Sequence, residues 1–127
     1  MIQPQELRIG NYIEYNGEII KLDGSLLCCY IQNELDYHFN EVPLTEEILL
    51  KFGFSSRGTF WLDLYLDEKT KFTLGWHPDG RIDFEISINE IYSDMSHIKH
   101  IHQLQNLYFT LTGEELTFKN PLIFVKK

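Results

Sequence analysis

From residue 60 to residue 88 the apolar stripe keeps to even-numbered positions: Phe60, Leu62, Leu64 and Leu66, then Phe72, Leu74 and Trp76, then Ile82, Phe84, Ile86 and Ile88. Side chains of a β-strand alternate between two faces, so the stripe specifies three antiparallel strands sharing one apolar face. Paired residues must lie on the same side of the sheet. Each hairpin therefore joins residues whose numbers sum to an even value, and both connecting loops have odd length. Three or five residues drawn from Asp67 to Lys71, and from His77 to Arg81, meet that condition. Each inward side chain contributes about 1.5 to 3 kcal/mol when buried.

The rest of the chain is organised around this meander. Asn11 to Tyr15 and Glu18 to Leu22 flank Asn16-Gly17, a dipeptide that accepts the positive φ angles of a type I′ turn, and predict a tight hairpin. Asp23-Gly24 then turns the chain into Leu26 to Ile31, a predicted third strand, with Leu35 to Phe39 as a fourth. A short helix follows. Thr45 is placed to cap it, Glu46 and Glu47 face its positive end, and Leu44 can staple onto Leu49. Gly53 suits the left-handed terminating position, with Phe54 folding back on Leu49 and Ser55 to Gly58 forming a loop.

Leu104, Leu107, Tyr108 and Leu111 recur at helical spacing and predict an amphipathic helix lying on the sheet and ending at Gly113. Its start falls either near Ile101 or at Asp94, where Ser93-Asp94 can cap a longer version. Lys119 to Val125 reads as a closing strand, with Pro121 favouring an edge. The expected class is α+β: a bent N-terminal β-hairpin region, a short helix, and an antiparallel β-meander packed by a C-terminal amphipathic helix. A single compact domain is expected over residues 1–127, with a β-rich subregion at 1–42 and the remaining elements in 43–127.

Composition narrows the function classes. The chain is 43% hydrophobic and 14% aromatic, ample for one packed core, and its apolar runs fall far short of a membrane-spanning helix. No basic leader or apolar signal segment opens it, so a cytoplasmic location is expected. Adjacent Cys28-Cys29 within an apolar run read as small buried hydrophobes rather than a disulfide. A net charge of -8 without a basic cluster opposes binding to phosphate backbones, and no sequence-specific nucleic-acid contact is expected.

His97, His100 and His102 are the one cluster with ligand-like spacing, and a metal there would need a carboxylate such as Asp94 or Glu90. No regular structure unites all three, and ordinary surface histidines are the simpler reading. No cofactor is expected. Asp63, Asp83 and Glu85 point away from the apolar face and can share a solvent face with Arg81 and Lys71. The chain has no nucleophile elbow, Walker loop or dinucleotide fingerprint. Trp61 and Tyr65 fall out of register with the core stripe, and Phe109 lies off the Leu104 stripe on the side carrying His102, Gln105 and Asn106. Aromatics left outside a core suit protein-binding hot spots.

Three segments, His102-Gln-Leu-Gln-Asn-Leu-Tyr-Phe-Thr-Leu-Thr-Gly-Glu-Glu-Leu116, Pro43-Leu-Thr-Glu-Glu-Ile-Leu-Leu-Lys-Phe-Gly-Phe54 and Leu7-Arg-Ile-Gly-Asn11, resemble a group of small proteins of Bacteroidetes bacteria, their prophages and phages. The resemblance carries no activity and no catalytic residues. It implies a mobile-element setting, in which compact acidic proteins act by binding host machinery. The leading expectation is a non-enzymatic factor that binds a host protein, with an anti-CRISPR inhibitor docked on an effector nuclease or its guide-RNA complex as the sharpest version. Its binding residues would be Trp61, Asp63, Tyr65, Asp83, Glu85, His102, Gln105, Asn106 and Phe109. The alternatives are a metal-dependent enzyme centred on His97, His100 and His102, and a small nucleic-acid-binding module on the N-terminal β region.

Overall fold

Asn16 and Gly17 adopt φ of 53° and 80°, the left-handed pair that a two-residue turn requires, and they close the first hairpin as the sequence predicts. Strand β1, Tyr12–Tyr15, pairs antiparallel with β2, Glu18–Lys21, in the register Tyr15↔Glu18. The computed structural model of the protein describes residues 2–32, 38–77, 79 and 81–119. Its elements fall into two compact units, Met1–Leu44 with His100–Glu115 and Thr45–Lys99 with Leu116–Lys127. The fold is α+β. No helix among the described residues is long and apolar enough to cross a membrane.

In the first unit the predicted third strand is a helix, α1, Gly24–Gln32. Asp23 is its cap rather than a turn residue: the Asp23 carboxylate accepts from the Leu26 amide at 2.8 Å, and the Leu27 amide donates to the Asp23 carbonyl at 3.0 Å. The run from Leu26 to Ile31 is apolar on consecutive positions, a pattern that a buried strand and a helix share. Helical spacing also corrects the expectation of burial for the cysteines, since Cys28 is exposed and Cys29 only half-buried, and neither forms a disulfide. Residues 35–37 of the predicted fourth strand lie outside the described residues. Just beyond them Asn40 bridges Glu14.

The core of this unit is Ile2, Leu7, Ile13, Leu22, Tyr30 and Phe39, with Tyr30 stacked on Phe39 at 4.3 Å between ring centroids and Tyr15 meeting Phe39 edge-on at 5.6 Å. Helix α3, Ile101–Thr112, belongs here. Gln103 accepts from the His100 amide at 3.0 Å at its start, and Gly113 ends it at φ 76°. The shorter of the two predicted starts is therefore the observed one. The helix packs on β1 of the same unit. Its buried positions are Ile101, His102, Leu104 and Gln105, whereas Leu111 at the end of the predicted stripe is exposed.

The second unit begins with α2, Glu46–Lys51, whose first free amides are met by Thr45 Oγ1, which accepts from Ile48 N at 3.3 Å. The predicted Schellman ending is present, with Phe54 N–H donating to Leu49 O and Gly53 N–H to Leu50 O, both at 3.1 Å, and Gly53 at φ 102°. A five-stranded antiparallel sheet follows in the order β3 (Ser55–Arg57), β4 (Trp61–Tyr65), β5 (Thr70–Trp76), β6 (Ile82–Ile88), β7 (Ile91–Asp94). The three central strands keep the predicted even-sum register, Leu62↔Leu74 and Leu74↔Phe84 among the pairs. Both loops have the predicted odd length, closed by Leu66 N–H to Thr70 O and His77 N–H to Arg81 O at 2.8 Å each.

Two edge strands depart from the sequence reading. Ser55 to Arg57 is a strand and not a loop, and Ser93-Asp94 ends a strand rather than capping a helix. The even face carries buried Leu62, Phe72, Leu74, Phe84 and Ile86. The unit's other buried apolar residues include Leu49, Phe52, Phe54, Leu116 and Phe118, with Phe52 stacked on Phe118 at 4.7 Å. Phe60, expected on the core stripe, precedes β4 and is exposed. Residues 120–125 of the predicted closing strand lie outside the described residues.

Candidate interaction face of the meander

Because the core takes the even positions, the odd positions of β3 to β6 form a second, outward face, here called the odd face. Tyr92 and Asp94 join it on β7, because the two-residue turn after β6 inverts the numbering. The register sets them in three rows. Arg57 stands opposite Trp61, and Trp61, Gly75 and Asp83 align across β4, β5 and β6. Asp63, Thr73, Glu85 and Asp94 form the middle row, and Tyr65, Lys71, Ser87 and Tyr92 the third. The sheet thus brings together Trp61, Asp63, Tyr65, Asp83 and Glu85, as the alternation predicts. It adds Arg57, Gly75, Tyr92 and Asp94, which the sequence reading missed.

The centre of this face is tied together by hydrogen bonds. Asp63 is buried, corrected from its expected solvent exposure, and accepts from Arg57 Nε at 2.7 Å and Thr73 Oγ1 at 2.8 Å. Burial alone raises the Asp63 carboxyl, but the hydrogen bonds from Arg57 and Thr73 and the nearby positive charges outweigh it and hold the group below its ordinary value. The Arg57 guanidinium also lies 5.4 Å from the Trp61 ring centroid. Trp61 lies flat over Gly75, where an added Cβ would meet the ring at 2.5 Å. A glycine at that position is a steric requirement of the ring above it.

Towards its edges the face opens. Tyr65 is 65% and Tyr92 58% exposed, and the Lys71 ammonium stands 5.5 Å from the Tyr65 ring centroid. These residues and the loops at Glu68 and Glu90 line a hollow of about 500 Å³. Asp83 pairs with His77, while Arg81, expected to share this face, pairs instead with its neighbour Asp79 at 2.9 Å. Among the described residues neither Glu85 nor Asp94 has a basic side-chain partner, although Asp94 Oδ1 accepts from Ser96 N at 3.0 Å and from Ser96 Oγ. The ensemble offers flat aromatic surface, hydrogen-bond donors and surplus negative charge, features found on surfaces that dock other proteins.

The other expected binding residues have a different fate in the first unit. Gln105 is fully buried: its Oε1 accepts from Tyr12 N at 2.8 Å, and its Nε2 donates to Gly10 O at 3.1 Å. Asn106 Oδ1 accepts from Arg8 Nε at 2.9 Å and Asn11 Nδ2 at 3.0 Å, and its Nδ2 donates to Glu6 O at 2.8 Å. Arg8 further pairs with Glu115 at 2.6 Å and covers the Phe109 ring at 4.3 Å. The expected free side of α3 is therefore turned inward onto residues 6–12. The segment Leu7 to Asn11 and helix α3 thus hold each other within this unit.

His102 is buried too, with Nε2 at 3.4 Å from Glu6 Oε1 and Nδ1 lacking a hydrogen-bond partner among the described residues. Burial lowers its basicity, an effect that Glu6 only partly offsets. The His100 and His102 rings stack with centroids 6.0 Å apart. Among the described residues no group of three His, Cys, Asp or Glu side chains is arranged to hold a metal ion. Comparison with protein-family models, with curated proteins and with solved structures finds no match for this chain.

Proposed function

We propose that the protein is a non-enzymatic binding factor of phage or prophage origin that docks on a host protein through the odd face of its five-stranded sheet. The observation that carries this reading is the exposed aromatics Tyr65 and Tyr92 in one row, beside the carboxylates Glu85 and Asp94, which among the described residues meet no basic side chain. Aromatic anchors held by a rigid sheet are the usual source of binding energy at protein interfaces. A chain of net charge -8 is attracted to basic surfaces, and the guide and target channels of CRISPR effector nucleases are basic. An inhibitor of such an effector or its guide-RNA complex is the specific form of the proposal, motivated by the resemblance to Bacteroidetes phage proteins.

Affinity capture from a Bacteroidetes host lysate tests it, using the protein beside a Trp61→Ala/Tyr65→Ala variant whose fold is confirmed by circular dichroism. A stoichiometric partner held by the first and lost by the second is the expected result, with relief of CRISPR immunity in plaque assays. No stoichiometric partner and no relief of immunity would remove the basis of the reading.

A further inference from the structure

Strand β7 is an open edge. Its connection to β6 is the two-residue turn Asn89-Glu90, with φ of 53° and 66°, which makes Ile88 and Ile91 the closing pair of the hairpin. In such a ladder alternate pairs exchange both backbone hydrogen bonds. Ile88 with Ile91 and Ile86 with Ser93 are the bonded pairs, and Met95 N–H donating to Phe84 O at 2.6 Å continues the phase. Tyr92 and Asp94 therefore turn their backbone N–H and C=O away from β6. Among the described residues no strand pairs with that outer side, and all four residues of β7 are exposed.

The two edges of this sheet differ. The edge strand β3 is Ser55-Ser56-Arg57, short and polar. By contrast β7 carries Ile91 at 71% exposure and Tyr92 at 58%, with Ile88 of β6 46% exposed beside it. It has no proline and no lysine, the residues that commonly blunt a free edge. Its flanks are acidic, with Glu90 before the strand, Asp94 at its end and Glu85 opposite Asp94.

We infer that β7 accepts an extended segment of a partner protein as a sixth strand, and that this segment alternates apolar with Lys or Arg residues. On the odd face the added strand places its basic side chains against Tyr92, Asp94 and Glu85, as cation–π and ion-pair partners. On the even face it lays apolar side chains along Ile91 and Ile88. A second copy of this chain is a poor occupant. Antiparallel pairing about Tyr92 would set Asp94 of each copy opposite Glu90 of the other, in chains that each carry -8. The inference rests on the protein-binding reading and specifies its mode.

The test uses a capped octapeptide of alternating valine and lysine as probe, with three controls: valine alternating with glutamate, the block order of the same valines and lysines, and the probe N-methylated at alternate amides. Hydrogen exchange by NMR on the full chain should show new protection at the Tyr92 and Asp94 amides with the probe alone. Tyr92→Pro deletes the outward amide without touching the bonds to β6, and should bind about tenfold more weakly than Tyr92→Ala, which keeps that amide. The N-methylated probe, which needs no protein variant, should lose affinity to a similar degree. The inference is overturned if the glutamate or N-methylated peptide binds equally well, if exchange at Tyr92 and Asp94 is unchanged, or if Tyr92→Pro abolishes a dimer instead. A host partner that survives Tyr92→Pro but not Trp61→Ala/Tyr65→Ala would reject the edge mode and leave the sheet-face reading standing.

Discussion

The two units treat polar side chains in opposite ways. In the first, Gln105, Asn106, Asn11 and Arg8 satisfy one another and the backbone of residues 6–12, so the network is complete within the chain. On the meander, Asp63 is satisfied at the centre and Asp83 pairs with His77, while Tyr65, Glu85 and Tyr92 face outward. A closed network fixes structure, because a buried polar group left without its partner is expensive. An open one leaves donors, acceptors and rings for something else. The difference separates residues of one chemical type into those that hold the fold and those left on the surface.

Mutations can break that contrast. The largest effect is expected at Gln105. Gln105→Leu strands the Tyr12 amide and the Gly10 carbonyl and should destabilise the protein by about 3 kcal/mol in urea denaturation. A change under about 1 kcal/mol would mean that the network is not structural. Next comes Gly75→Ala, whose methyl displaces Trp61 and should cost about 2 kcal/mol with a shift in tryptophan emission. Adding Trp61→Ala should recover most of that loss.

Two smaller effects depend on pH. The depressed Asp63 carboxyl contributes stability that is present above its unfolded value of about 3.8 and lost as pH falls through the lower folded value. Asp63→Asn should remove that acid-limb dependence in denaturation curves between pH 5 and about pH 2. His102 has the opposite character, since its folded state holds a proton less readily than the unfolded chain, whose value is about 6.5. Stability should therefore decline as pH drops below about 6.5, and His102→Gln should flatten that slope. The smallest effect is at the open face, where Tyr65→Ala and Glu85→Gln should each change stability by no more than about 0.5 kcal/mol. A larger loss there would show that the face is closed after all.

Much of this was legible in residues whose signal is local. Asn16-Gly17, Thr45, Gly53 and Gly113 each encode a backbone conformation directly, and the even-numbered stripe carries the register of three strands. Where periodicity was short or ambiguous, the reading failed. Leu26 to Ile31 folds as a helix because Asp23 caps it, a role indistinguishable in sequence from a turn. Strand β7 was missed because its turn, Asn89-Glu90, reaches positive φ without a glycine, and β3 because a three-residue polar edge has no apolar signal at all. Of the candidate site, alternation found the outward face. It could not find that His102, Gln105 and Asn106 are consumed, since amide side chains look alike in sequence whether they meet water or a neighbouring backbone.

The pairing of Arg8 with Glu115 joins residues 107 positions apart, and Asn11 with Gln105 spans 94. The first unit is thus assembled from two stretches of chain separated by the whole meander. During synthesis its N-terminal stretch must wait for α3 to emerge, whereas the hairpins of the meander, built on neighbours in sequence, can close as they are made. Folding order should then run against chain order, with the central sheet first and the N-terminal unit last. A nascent chain halted before residue 100 would carry a formed meander and an unfinished, protease-sensitive beginning.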